Sequence, residues 1–535
     1  MIFRRLTDFI ILLVFLSLPV LAILTSCDRS SDPPVVPPDN HAPQAVITVD
    51  GDTEGPTPFT VSLDGSGSTD EDGDELEYLW LFSDGESAEG PIVQHEFTFS
   101  GRHDIRLLVT DPHGETGDAG PVIVYGYGLA NSAWPKFAHD VRNSGVTPNR
   151  GPMMNLENAD NGGAFPRYWR GGIQNDVINS IVIGYDGVVY YSQGEFLRAR
   201  TADGSEIWDR NLGSEISSWP AIAHDGSIVT GTLDGMVFRL SSDGEILWDF
   251  STDFITDSKV SLTGAVTIDR NANIYLAGAT GYDPQLKVFV IAISLDGEFL
   301  WWDPINHSPG EFQPIPAISQ EGYIVFNGEP GLAYMPDGTR AAEYHMGSYS
   351  VRPRTLGPPS VDGGNILFAR KDLPVFSEGG NYLRTLLTNN DFPINQYNSS
   401  INYAEPGQRT TAVVGDNTID IYGTGLESYH DICYLVTRSL YGDVSVLEFP
   451  PRAKTERSLG RHFGGATRDS LDRVYVSWFG INCAAPLRSY SVSPYMRRYS
   501  LWTYYRPSIR MTPPVIGEDG WLYAGCGLDL LAIGD

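Results

Sequence analysis

The sequence predicts an all-β protein: an immunoglobulin-like β-sandwich followed by a β-propeller of eight blades, with seven the alternative count. Three observations carry that expectation. The 535 residues include 57 Gly and 36 Pro, a turn-rich composition without long amphipathic helical stretches. Short alternating apolar runs are separated by Gly, Asp and Ser clusters, the signature of strands and turns. From about residue 180 onward, a four-strand pattern recurs every roughly 40 to 54 residues, the period range of propeller blades.

The first element, residues 1–26, reads as a secretory leader. Arg4 and Arg5 precede an apolar run from Phe9 to Leu24, and Leu24-Thr25-Ser26-Cys27 follows. A basic start, an apolar stretch and small residues before a cleavage point define such a leader. The Leu-Thr-Ser-Cys ending resembles the lipobox of bacterial lipoproteins, and the resemblance implies cleavage before Cys27 and attachment of a diacylglycerol to its thiol. The chain is then expected in the bacterial cell envelope, lipid-anchored on the periplasmic face or the cell surface. Residues 27–41 hold the lipidated Cys and a Pro-rich spacer, DRSSDPPVVPPDNH, which at about 3.1 Å per residue would reach about 40 Å.

Residues 42–126 change character. Ala45-Val46-Ile47, Phe59 to Leu63, Tyr78-Leu79-Trp80 and Ile105 to Val109 alternate with Gly/Asp/Ser turns, as short sandwich strands do. The words Leu63-Asp64-Gly65-Ser66-Gly67-Ser68-Thr69-Asp70, Tyr78-Leu79-Trp80-Leu81-Phe82-Ser83-Asp84-Gly85 and Leu108-Val109-Thr110-Asp111 resemble the PKD domain. That resemblance implies an immunoglobulin-like module of exported proteins, with Trp80 in its core. The segment carries 18 acidic residues against Arg102 and Arg106 alone. Asp64, Asp70, Asp72 and Asp74 cluster at one turn, and hard oxygen ligands at that spacing suit calcium. The EF-hand pattern fails there, and solvated turn carboxylates are the other reading.

Residues 127–535 form the repeat array. Its clearest copy runs Trp219-Pro220-Ala221-Ile222-Ala223-His224-Asp225-Gly226, then Ile228 to Gly231, Asp234-Gly235, Met236 to Leu240, and Asp243-Gly244-Glu245-Ile246-Leu247-Trp248. Three Asp-Gly turns between alternating strands make a four-stranded meander, because such turns need the positive φ that Gly supplies. Related copies start near Ser180, Thr263, Ile315, Pro359, Thr411, Gly465 and Pro514. The recurring Trp208, Trp248 and Trp301 are expected to pack between adjacent blades. The last copy has no Trp-bearing strand, and Ser132-Ala133-Trp134-Pro135-Lys136-Phe137-Ala138-His139-Asp140 is expected to supply the strand that closes it. The repeat resembles the PQQ-like, quinoprotein-type propeller family.

Composition excludes some functions. Formal net charge is −31, from 36 Lys+Arg against 67 Asp+Glu, which disfavours nucleic acid because phosphate binding needs a cationic face. Besides Cys27 only Cys433, Cys483 and Cys526 occur. None has CxxC spacing, so zinc and redox motifs are not expected, while a Cys433–Cys483 disulfide or unpaired thiols both remain open. The quinoprotein resemblance implies a quinone-dependent dehydrogenase, yet the word before each Trp is D-G-x-x-x-W, and adjacent cysteines and a haem motif are missing. The expectation is therefore a chain that is not an enzyme and needs no cofactor: a non-catalytic platform for a protein or carbohydrate partner. The alternative is a PQQ-dependent dehydrogenase or a polysaccharide-active enzyme. Two insertions are the expected contact surface: the Asn- and Tyr-rich stretch Thr388 to Gln408, and a basic aromatic loop with Arg488, Arg497, Arg498, Tyr499, Trp502, Tyr504 and Tyr505. Arg and amphipathic aromatics favour interfaces, and packing of the blade edge is the competing role.

Overall fold

In the computed structural model the described residues are 40–152, 167–170, 178–255, 260–280, 287–305, 315–328, 330–345, 359–362, 364–368, 374–385, 411–415, 418–427, 430–439, 444–449, 466–477, 480–484, 488–490, 493–497, 500–505, 512–526 and 528–534. In strands 167–170, 411–449 and 480–505 the backbone course alone is described. Apart from one 3-10 turn at Tyr185–Gly187, every regular element among them is a strand. No helix among the described residues is long and apolar enough to cross a membrane.

Residues 48–126 form a sandwich of a three-stranded and a five-stranded sheet. Strand Gly101–Thr110 alternates buried and outward residues along its whole length, the period-two signature of a half-buried strand. Its Ile105, Leu107 and Val109 pack with Leu63, Phe97 and the fully buried Trp80. The indole of Trp80 donates to the Gly90 carbonyl at 2.9 Å, so the buried N–H is satisfied.

Eight further sheets follow, each built on four antiparallel strands. They begin at residues 178, 221, 261, 317, 359, 411, 466 and 515, within two residues of the starts read from the repeats. The third gains a fifth, parallel strand, Ser218–Trp219. Within the second sheet the inner strands Ala221–Ile222 and Ile228–Gly231 are wholly buried, whereas the outermost, Ile246–Ser251, has no buried residue.

Neighbouring sheets bury apolar faces against each other. Ile222 and Ile228 of the second sheet pack on Leu197 and Ala199 of the first. Val290 and Ala292 of the third pack on Ile324 and Phe326 of the fourth. The eighth returns to the first, with Val515, Tyr523 and Leu530 against Ile181, Val189 and Tyr191. Burying each such side chain contributes about 1.5–3 kcal/mol, and no sheet could cover both faces alone. This mutual covering is a propeller architecture.

The closing strand differs from the expected one. Arg167–Arg170 pairs with Asp529–Ile533 as the fourth strand of the last sheet. Segment 132–140 does not pair there. Its Trp134 and Ala133 instead fill the apolar seam between the eighth and first sheets, which is why its Trp-Pro word reads as part of the closure.

The Asp-Gly turns also differ in detail from two-residue hairpins. In Ser241 to Glu245, Gly244 N–H donates to Ser241 O and Ser241 N–H to Glu245 O, and Gly244 alone has positive φ, +82°. This is the three-residue turn with a glycine bulge.

Candidate functional site

Each recurring Trp locks one sheet to the next. Trp208 Nε1 donates to Ser242 O, Trp248 Nε1 to Leu295 O and Trp301 Nε1 to Pro336 O, each at 2.8 Å. Each acceptor lies in the Asp-Gly turn of the following sheet. A Cβ on Gly244, Gly297 or Gly338 would lie 2.7–3.0 Å from the corresponding indole. Glycine is thus required there for its positive φ and for the room it leaves. Tyr344 does the same work in the fourth sheet, its hydroxyl donating to Glu378 O at 2.8 Å.

Segment 128–152, between the sandwich and the first sheet, is a circlet around one end of the array. Going along the chain, Ala130 N–H donates to Ile222 O, Trp134 pairs with Ile183, and Pro135 O accepts from Ile222. Phe137 packs on Ala265 and Ile315. Val141 O then accepts from Ile318, Arg142 O from Val361, and Gly145 O from Arg468. Asn149 O accepts from Ser470, and the Arg473 guanidinium donates to Gly151 O at 2.5 Å. Successive residues therefore meet the first, second, third, fourth, fifth and seventh sheets, always near the turn joining inner strands one and two.

The circlet has its own polar core. Asn143 Nδ2 donates to Pro316 O and Pro359 O. Lys136 is fully buried, with Nζ donating to Phe137 O at 3.0 Å, Asp140 O at 3.3 Å and Asn143 Oδ1 at 2.5 Å. Burial pulls its amine down to about 7 against the support of nearby Asp140, because a desolvated ammonium is disfavoured. Ala138, His139 and Asn143 sit at positive φ, a conformation costly for such residues and held here by the packing around them.

The sandwich docks on the same end. Arg102 N–H donates to the Tyr185 hydroxyl at 2.9 Å and to Asn131 Oδ1 at 3.0 Å, while Asn131 Nδ2 returns a bond to Arg102 O at 2.8 Å. Tyr185 in turn donates to His224 O at 2.8 Å. His224 is buried against Tyr125 and Tyr127, at the end of the sandwich's last strand. Burial and the Arg102 and Asn131 donors act oppositely on Tyr185, and burial prevails, pushing its hydroxyl well above the usual range.

The four expected calcium carboxylates are not gathered into one site. Asp64 Oδ1 accepts from Ser66 N–H, Asp70 Oδ1 from Asp72 and Asp74 N–H, and Asp72 Oδ2 from His41 N–H. The Ser66 hydrogen bonds hold Asp64 below the usual carboxylate range, and the His41 N–H does the same for Asp72. The bonds at Asp64 and Asp70 are local turn-forming bonds, whereas the one from His41 ties Asp72 to the start of the module. What the fold brings together is Asp74 with Asp111 and His113, whose ligand atoms lie within 4.8 Å of one another. The last two are distant in sequence from the acidic turn, so no local spacing points to them. Asp111 already accepts from Asn40, His113 and Glu115.

The expected loop at 487–505 is instead a hairpin, Arg488–Tyr490 with Ser493–Arg497, followed by strand Ser500–Tyr505. Arg488 stands opposite Arg497. Trp502 and Tyr504 belong to the outer strand of the seventh sheet, opposite Cys483 and Ile481. Arg498, Tyr499, the Thr388–Gln408 stretch and Cys27 lie outside the described residues. Cys433 and Cys483 stand on the sixth and seventh sheets, their side chains beyond the description, and Cys526 is buried.

The fold and the docked module define an all-β chain in which a PKD domain adjoins a propeller array. Residues 40–122 match the PKD domain model. Over 75 residues the chain is 35% identical to "Collagenase ColA" of Clostridium perfringens (strain 13 / Type A), a stretch that is 14% of this chain and 7% of the collagenase. By structure it is similar to the C-terminal WD40 domain of Sif2, at 13% identity over 69% of this chain and 98% of that one, TM-score 0.44. It is also similar to BamB from Moraxella catarrhalis, at 12% identity over 71% of this chain and 96% of that one, TM-score 0.32.

Proposed function

We propose that this chain is a non-catalytic binding platform of the cell envelope: a lipid-anchored PKD domain carrying an eight-bladed ring that offers one face to a protein or glycan partner. The observation that carries this reading is the crowding of one end of the array. The circlet 128–152 and the docked module both meet the turns joining strands one and two. The opposite end is where each outer strand leads into the next inner strand. Its longest connections run from Thr385 to Thr411 and from Phe449 to Ala466. Binding residues concentrate in the connections of a rigid scaffold. BamB, a likeness in fold, lends no partner to this chain.

Site-specific photocrosslinking in cells tests the reading. A photoreactive residue at Leu233, exposed on the opposite end, is expected to trap a discrete partner, and one at Glu321, on the circlet end, is not. Adducts from Glu321 alone would overturn the choice of face. Dye-linked oxidation of an alcohol or sugar after addition of PQQ and calcium would favour the dehydrogenase instead. Anchoring through Cys27 predicts that Cys27→Ser moves the protein from the membrane to the soluble fraction.

A further inference from the structure

The junction between the PKD domain and the ring contains a buried histidine that belongs to neither apolar core, His224. Its side chain is 4% exposed, in the turn Ala223 to Ser227 of the second sheet. The imidazole sits 4.9 Å from the Tyr127 ring and 6.0 Å from Tyr125. Its Nε2 lies 3.9 Å from the Glu54 carboxylate on the module, and its Nδ1 is buried with no hydrogen-bond partner. The backbone is clamped from both sides: His224 N–H donates to Gly128 O at 2.9 Å, and its carbonyl accepts from Tyr185.

We infer that His224 is a proton-sensitive latch, holding the PKD domain against the ring while neutral and releasing it when protonated. A proton on Nδ1 creates a buried N–H with no acceptor, and an unmatched buried donor on a charged group is costly. The facing groups do not compensate. Glu54 is half-exposed and beyond hydrogen-bond range. Asp225, beside it in the turn, is committed to Arg239 Nη2 at 2.6 Å and to Ser227. Arg239 on strand Met236–Leu240 adds a like charge. Desolvation is the largest influence on the ring and holds its pKa below the ordinary value. Undocking returns the imidazole to water, where it binds a proton with the ordinary pKa near 6.5. Linkage then favours the undocked form as pH falls below that value.

Because docking holds the ring below its free pKa of about 6.5, the undocked fraction rises as pH falls from 7.5 to 5.5, by at most about tenfold. Hydrogen exchange of the full chain reads this directly. After correction for intrinsic rates, protection of the Arg102 amide, which crosses the junction to Asn131 and Tyr185, is expected to fall over that range, by at most about tenfold. Amides inside the module (Val61) and inside the ring (Val229) serve as references and keep their protection. His224→Phe keeps the aromatic packing and cannot titrate, so its junction protection is expected to be flat with pH. His224→Gln offers a second non-titrating ring replacement should the first misfold. Wild-type protection that does not change with pH, or an equal fall in both variants, would overturn the latch.

Discussion

Replacing Gly338 by Ala tests the Trp lock between sheets, because it adds one methyl group where the structure leaves no room. Gly338 has φ of +88°, and a Cβ there would lie 2.7 Å from Trp301 Cγ and 2.8 Å from Cδ2. Carbon atoms prefer about 3.5–4.0 Å, so the indole must move or its bond to Pro336 O must break. The left-handed conformation alone costs a residue with a Cβ about 1–2 kcal/mol, and overpacking adds about 1–3 kcal/mol. Gly322→Ala is the internal standard: its φ is +89°, and nothing lies within 4 Å of the added carbon. The two variants share the backbone penalty and differ in the Trp contact. Urea unfolding followed by tryptophan fluorescence is expected to place Gly338→Ala about 1–3 kcal/mol below Gly322→Ala. At a slope near 3 kcal/mol/M, that is a midpoint lower by roughly 0.3–1 M. Equal midpoints would show that the indole does not depend on the glycine, and the proposed reason for glycine in these turns would fail.

Other substitutions follow from the same geometry. Trp248→Phe keeps most of the apolar area but removes the donor to Leu295 O, and is expected to cost about 1 kcal/mol beyond the lost area, read as a lower urea midpoint. Lys136 has a folded pKa near 7 against 10.5 unfolded, so the unfolded chain binds the extra proton between those values. Its contribution to stability therefore rises with pH from about 7 to about 10.5, and is constant below that window. The stability difference between wild type and Lys136→Met is expected to grow in favour of wild type from pH 8 to 10, and a flat difference would contradict the buried amine. Asp70→Ala removes the acceptor for Asp72 and Asp74 N–H and is expected to destabilise the PKD domain by about 1 kcal/mol. Asp70→Asn keeps that acceptor and should lose much less, and calcium should leave the contrast unchanged if the carboxylate is a turn former. A Tyr168→Cys, Leu531→Cys pair, opposite each other in the last sheet, is expected to form a disulfide detectable by peptide mass.

Much of this fold is legible in the sequence for a physical reason. Asp-Gly bulged turns and the Trp that rests on the next turn are local words, and each sheet needs the same words to cover its neighbour. The circlet is not legible that way. Its partners, from Ile183 to Arg473, are spread over several sheets, and its own sequence has neither strand alternation nor a repeat. Trp134 misled the reading of ring closure because it does fill the last seam, but with its side chain, while Arg167–Arg170 supplies the backbone pairing. His224 resembled any other turn residue until the module was placed beside it. The Asp74, Asp111 and His113 group joins ends of strands that are far apart in the chain. The pairing of positions 488 and 497 follows from the hairpin register, which no local word announces.

The platform reading depends most directly on residues 128–152 lying bonded along the inner strands at one end of the ring. Hydrogen exchange of that segment in the full chain measures it. Amides of Ala130, Ile183, Thr147 and Arg468 join the circlet to the array, and they are expected to exchange as slowly as the buried strand Ile228–Gly231. Exchange of residues 128–152 at the rate of an exposed loop would leave that end of the ring open and would contradict the account.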